Sequence, residues 1–246
     1  MKVSIITAVW NNVSTIREAI ESVLGQDYPQ LEYIVVDGAS TDGTLEIVAE
    51  FGSRISKVIS GPDRGIYDAL NKGMQAATGD VVGILHSDDI FASPGVISRV
   101  VAAFAGGRAD LCYGNLNYVR KDDVRRIVRR WIAGEFRSPL LGRGWMPPHP
   151  TVFMSRGLLQ RTGSFDLRYR IAADYDFLVR ALRIPDVRVV YLDEVLVSMR
   201  VGGASNKSLA NILRKSREDL QVIRENGVGG IGTLLLKNVS KISQFL

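Results

Sequence analysis

The sequence predicts an α/β protein, a mainly parallel sheet flanked by helices, with a smaller second sheet and a helical tail. Two observations carry this. Apolar runs of strand length alternate with stretches of helical period through the first half, and the second half loses that regularity. The chain of 246 residues, 46% hydrophobic and 23% charged, has the composition of an ordinary globular protein with one large core.

Val3 to Ala8 reads as a buried strand, followed by a helix whose Ile16, Ala19, Ile20, Val23 and Leu24 share one face, with Ser14 as candidate N-cap. Tyr33 to Asp37 is a second buried strand. It breaks at Gly38, and Thr41 and Asp42 are placed to cap the helix carrying Leu45, Val48 and Ala49. Lys57 to Ser60 is a short third strand, and Ile66, Ala69, Leu70, Gly73, Met74 and Ala77 mark one face of the next helix. The VVGIL run from Val81 is a fourth strand, ending at His86, Ser87, Asp88 and Asp89. Beyond it, Leu111 to Arg129 reads as two strands around a turn near Asp122 and Asp123, and Arg137 to Pro150 as a Gly/Pro-rich loop. Thr151 to Met154 is another strand. Ile171 and Ala172 then lead into a helix with Asp174 in its first turn, and residues 209–246 read as helix with a glycine-rich break at Gly227 to Gly232.

Composition closes several functional classes. With His86 and His149 as the two histidines and Cys112 as the single cysteine, no zinc site of ordinary composition can be assembled, and Cys112 reads as a small core residue. Dinucleotide and P-loop glycine motifs are absent, as is a hydrolase nucleophile elbow. The net charge of +5 favours anionic partners, but no nucleic-acid-binding motif accompanies it, so nucleic acid is not expected as a partner. No apolar run reaches membrane-spanning length and the start lacks a signal-peptide pattern, so a cytoplasmic location is expected.

In open parallel sheets, ligands bind beyond the carboxyl ends of the strands, where Asp37 and the pair Asp88, Asp89 are expected to face one cleft. Two adjacent carboxylates at the end of an apolar strand repel and lose water together, a cost that Mg²⁺ or Mn²⁺ with substrate phosphates would relieve. The competing reading makes one of them an N-cap for the helix carrying Ile97, Val100, Val101 and Phe104.

Five blocks in order, SIITAVWNN, QDYPQLEYIVVDGASTDGT, GPDRGIYDALNKGMQAATGD, HSDD and IAADYDFLVR, resemble family 2 glycosyltransferases of the Rossmann-like GT-A fold, closest to bacterial enzymes of surface-polysaccharide and glycolipid assembly. The resemblance implies transfer of a sugar from a UDP- or GDP-linked donor to a carbohydrate or lipid-linked acceptor. It implies that Thr7 and Ala8 line the nucleotide, that Asp37 accepts hydrogen bonds from the base, and that Asp63, Arg64, Asp68, Asn71 and Lys72 lie against the donor. Capping by Asp68 and simple solvation of Lys72 stay open beside those roles.

Asp88 resembles the ribose or first metal contact and Asp89 the direct ligand of Mn²⁺ or Mg²⁺, although Ser87 departs from the strict Asp-x-Asp form. Asp174 matches the general base of inverting members, with Asp176 as second choice. The family often has Glu before that base, where this chain has Ala173. His149 either meets diphosphate or acceptor or is structural. The match implies a GT-A domain over residues 1–205, with a nucleotide-sugar half to 110 and an acceptor half from 111, and a helical extension over 206–246. That extension, and a basic run from Arg120 to Arg130, are candidate contacts for an anionic membrane surface. Without the Gln-x-x-Arg-Trp motif of processive synthases, transfer of a single sugar is expected. The alternative is a catalytically inactive nucleotide-sugar-binding or partner-binding protein of the same fold.

Overall fold

The computed structural model describes residues 1–202 and 209–239. In chain order the strands are β1 (Val3–Val9), β2 (Leu31–Asp37), β3 (Lys57–Ser60), β4 (Val81–Ile84), β5 (Ile90–Phe91), β6 (Leu111–Val119), β7 (Ile127–Trp131), β8 (Phe153–Ser155) and β9 (Val189–Arg200). The helices are α1 (Ile16–Leu24), α2 (Thr44–Glu50), α3 (Ile66–Ala76), α4 (Val96–Phe104), α5 (Arg156–Thr162), α6 (Ala173–Leu182), α7 (Leu209–Glu225) and α8 (Ile231–Val239). The expected boundary between residues 205 and 206, and the tail beyond 239, lie outside the described residues.

All strands join one sheet in the order β3-β2-β1-β4-β8-β6-β9-β5, with β7 paired to β6. β1 to β4 are mutually parallel, and β8 enters antiparallel between β4 and β6. The smaller acceptor-side sheet thus continues the first through the short β8. Every residue of β1 is buried, as strands covered on both faces must be. Its side chains alternate between two cores: Ile6 and Ala8 join Leu70, Tyr113 and Phe177 on one face, while Val3, Ile5 and Val9 join Ile20, Val100 and Phe104 on the other.

Several local expectations are corrected. Ser14 does not cap α1. Thr15 precedes that helix, and its hydroxyl donates to the Ser87 carbonyl. At α2 the residue before the helix is Gly43, and Asp42 alone reaches in, accepting from the Thr44 N–H at 3.1 Å. Neither Asp88 nor Asp89 caps α4, which starts after Gly95 with β5 intervening. The strand expected from Thr151 begins instead at Phe153, because Thr151 closes a 3-10 turn by donating its hydroxyl to Pro148 and Gly114 carbonyls. Three elements are new, the two-residue β5, α5 and the long β9. Asp193 and Glu194 break the apolar pattern of β9 where the register against β6 shifts.

Candidate active site

The carboxyl ends of β1, β4, β6 and β9 open on a cavity of about 1250 Å³ that is closed from the far side by α6, α7 and α8. Ala8, His86, Asp88, Asp89, His149 and Asp174 line it, so carboxylates 85 residues apart face one space.

The acidic turn after β4 forms part of its wall. Asp89 is 1% exposed. Its Oδ1 accepts only a long bond from the Arg200 N–H at 3.3 Å, and its Oδ2 has no partner among the described residues. Burial, then the adjacent Asp88 charge, push the Asp89 carboxyl well above the usual range. Arg200 holds the turn by donating to the Asp88 carbonyl at 2.6 Å while pairing with Glu18. A buried unpartnered carboxylate oxygen beside a second carboxylate suits a hard divalent cation that brings its remaining ligands with a diphosphate. Among the described residues no group of three or more acidic, histidine or cysteine side chains forms a complete cation cage.

Across the cavity, Asp174 stands in the first turn of α6, its Oδ2 3.2 Å from His149 Nδ1 and its Oδ1 accepting from the Tyr175 N–H. The His149 ring meets His86 edge-on with centroids 5.4 Å apart. Burial, then His149, push the His86 ring down to about 4, so it is neutral at neutral pH.

Other predicted residues lie elsewhere. Thr7 is buried, donating to the Leu85 carbonyl and accepting from the Tyr33 hydroxyl. Asp37, expected to face one cleft with Asp88 and Asp89, does not line the cavity: it is fully buried because its carboxylate turns back to accept from the Ala39 and Ser40 N–H groups and the Ser60 hydroxyl, the geometry of an Asx turn. Asp63 caps the Gly65 N–H and lies over Gly38, where a Cβ would fall 2.5 Å from its Oδ2 and 3.4 Å from Trp10. Asp68 takes ion pairs from Arg64 and Lys72, and Lys72 also donates to the Pro62 carbonyl. Asn71 is spent on structure: its amide bonds both the N–H and the carbonyl of Phe165. Asp176 is likewise occupied, by Arg180 and Asn226, and is not part of the cavity wall. In the basic hairpin, Arg120 pairs with Asp122 and Arg125 with Asp123.

The sequence reading missed the charges that α7 and α8 bring. Lys237 and Asp219, 3% and 2% exposed, form a 2.7 Å ion pair in the cavity wall, with the ammonium 3.0 Å from the Tyr175 ring centroid. Burial pushes Lys237 down to about 8 against the pull of Asp219. Spacing 18 residues apart on two helices gives no local signal for such a pair. Trp10, 68% exposed at the end of β1, did carry one: a large aromatic in a polar loop.

A Rossmann-like sheet whose acidic turn shares a cavity with a carboxylate on a later helix has the architecture of a GT-A glycosyltransferase. Residues 4–166 match the Glycosyl transferase family 2 profile, and the chain belongs to that family. It is 33% identical over 209 residues to a PGL/p-HBAD biosynthesis glycosyltransferase of Mycobacterium bovis, covering 82% of this chain and 78% of the relative. A Mycobacterium tuberculosis counterpart matches equally.

Among solved structures, Staphylococcus aureus TarS superposes with a TM-score of 0.72 at 22% identity over 93% of this chain, which spans 39% of the TarS length. A TarS 1–349 structure in complex with UDP-GlcNAc gives 0.73 at 21% identity, covering 93% of this chain and 66% of that one. The Pyrobaculum calidifontis mannosyltransferase PcManGT in complex with GDP-Man and Mn²⁺ gives 0.65 at 23%, covering 93% and 65%. These likenesses establish the fold, and the family establishes that the chain is a glycosyltransferase.

Proposed function

We propose that this glycosyltransferase transfers one sugar, with inversion, from a UDP- or GDP-linked donor to an acceptor hydroxyl in glycolipid or polysaccharide assembly, using Mn²⁺ or Mg²⁺. The buried Oδ2 of Asp89, without a partner among the described residues and on the same cavity as Asp88 and Asp174, carries the reading. Asp89 and Asp88 would hold the cation, which when bound neutralises the departing diphosphate. Asp174 takes the proton of the attacking hydroxyl. His149, with Nδ1 3.2 Å from Asp174 Oδ2, keeps that carboxylate oriented. The nucleoside lies at the carboxyl ends of β1 and β2, where Ala8 and the exposed Trp10 offer a surface and the Asp37 turn and Asp63 supply polar groups. Arg64, Asp68 and Lys72 flank the donor, while Thr7 and Asn71 support it from behind.

Function divides along the chain, with residues 1–110 serving the donor, 111–205 the acceptor and 206–246 an extension on the acceptor side. A glycolipid acceptor agrees with the named role of the mycobacterial relatives and with the exposed Leu235, Leu236 and Val239 of α8. Those residues and the basic hairpin make a peripheral contact with the anionic inner face of the cell membrane part of the proposal. Among the described residues no helix is long and apolar enough to cross a membrane.

Thermal unfolding in UDP or GDP, each with and without Mn²⁺, tests the donor side. One nucleotide at a hundredfold excess over its Kd should stabilise the protein by about 2.7 kcal/mol, and only with the cation. Equal stabilisation without Mn²⁺, or none by either nucleotide, would reject the metal-dependent reading.

A further inference from the structure

The first-turn N–H groups of a helix have no partners within it, and a local Ser, Thr, Asp or Asn ordinarily supplies one. The residue before α6 is Ala172, and no side chain of that segment caps the helix. The N–H groups that lead into the helix are held instead from as far as 46 residues further on: Glu218 of α7 accepts from the Arg170 N–H at 3.2 Å through Oε1, and from the Ile171 and Ala172 N–H groups at 2.8 and 3.0 Å through Oε2. From the opposite side the Tyr67 hydroxyl donates to the Ile171 carbonyl at 2.8 Å. Residues 170–172 are thereby clamped between α3 and α7, two positions ahead of Asp174.

α7 is itself fixed at neighbouring positions. Asp219 holds Lys237 of α8 against the Tyr175 ring, and Asn226, the residue just past the end of α7, donates to Asp176 on α6. The carboxylate of Glu218 is therefore presented by a braced helix to three consecutive N–H groups, a charge-assisted arrangement that fixes where α6 begins.

We propose that Glu218 is a positioning residue for Asp174, so that the C-terminal helices complete the catalytic half; this rests on the reading of Asp174 as the base. A carboxylate displaced by about an ångström from its proton loses on the order of a hundredfold in rate, whereas donor binding at the far strand ends is untouched.

The test uses the full chain with UDP-hexoses and GDP-hexoses in Mn²⁺, reading nucleoside diphosphate release, together with amide hydrogen exchange. Glu218→Ala should lower kcat ten- to a hundredfold with donor KM within twofold, and should speed exchange at residues 170–174. Glu218→Gln, which keeps one acceptor oxygen, should fall between it and the wild type and guards against a folding failure. The double variant Asp174→Asn with Glu218→Ala should be no slower than Asp174→Asn alone, because a residue acting through Asp174 has nothing left to position.

Wild-type kcat with wild-type protection at 170–172, or losses that multiply in the double variant, would overturn the proposal. Full turnover by Asp174→Asn would sink the base reading and the positioning role with it. The clamp would then still be reported by exchange.

Discussion

The first 110 residues and the stretch from 111 to 239 use one sheet in opposite ways. In the first, buried polar groups are answered from adjoining strands and the loops at their ends: Glu32 by Lys2, Ser4 and Thr78, Asp37 by its own turn and Ser60, Thr7 by Tyr33 and Leu85. In the second, charges are answered from helix to helix outside the sheet, as in Asp219 with Lys237, Asp176 with Asn226, and Glu218 with the start of α6. Asp89, at the boundary, is left short of partners. A frame that satisfies itself can be rigid without a ligand. The electrostatic debt concentrated at the seam is what a ligand can relieve.

The largest expected effects come from that seam. Asp89→Asn and Asp174→Asn should each reduce transfer by about 10²–10⁴-fold while leaving thermal stability close to the wild type, measured as nucleoside diphosphate release alongside unfolding. Asp89→Asn should raise stability in the absence of cation, since it removes a carboxyl whose ionised form burial and the adjacent Asp88 disfavour. Wild-type turnover in either variant would remove that residue from the mechanism.

The legibility of the sequence followed the same division. Period and apolar runs placed β1 to β4 and their helices, because regular elements buried on both faces leave a local pattern. They placed Asp88 and Asp89 at a strand end, and the family resemblance added Asp174, all three of which line the cavity; Asp37, expected in the same cleft, is buried outside it. Asn71 was given a donor role, yet its amide is consumed by Phe165, 94 residues away. Nothing near Asn71 in sequence announces that partner. Glu218 and Lys237 were missed for the same reason: a cap or ion pair supplied by a distant helix has no spacing rule, and β9 hid behind Asp193 and Glu194.

The same substitution should act oppositely in the two regions. A Cβ on Gly73 of α3 would lie 2.4 Å from Ile6 Cγ2 and 3.3 Å from Val36 in the frame core, so Gly73→Ala should cost about 1–3 kcal/mol despite the helix preference of alanine. Gly157 of α5 has nothing within 4 Å of that point, and Gly157→Ala should gain about 0.4–1 kcal/mol. Urea midpoints decide both. Equal shifts in the two variants would mean the frame core is no tighter than the acceptor side.

Glu32 gives the frame a pH signature. Burial raises its carboxyl, but hydrogen bonds from Lys2, Ser4 and Thr78 outweigh this and hold it at about 2, below its ordinary 4.5. A depressed folded value means stability that is present above pH 4.5 and lost as pH falls from there toward 2. With Lys2 half-exposed, the contribution is about 1–2 kcal/mol. Glu32→Gln should therefore be less stable than the wild type at pH 7, with the gap narrowing as pH falls from 4.5 toward 2. A gap that stays constant across that range would show the bonds do not depend on charge.

The smallest effect separates donor contact from scaffold. Arg64 is 76% exposed in its side chain and pairs with Asp68 at 3.1 Å, and Asp68 keeps the Arg64 N–H and Lys72 whatever the side chain at 64. An exposed i,i+4 pair contributes only about 0.3–0.5 kcal/mol, so Arg64→Ala should leave the urea midpoint nearly unchanged. If the guanidinium swings from Asp68 to the donor, its loss should raise donor KM by roughly fivefold, about 1 kcal/mol, and the rise should shrink in high salt because the site is open to screening. A wild-type KM would leave Arg64 a solvated charge and shift donor recognition onto Lys72 and the groups at the ends of β1 and β2. A stability loss as large as that of Gly73→Ala would instead make the 62–68 loop part of the self-satisfied frame, and the contrast between the two halves would no longer hold at the donor's edge.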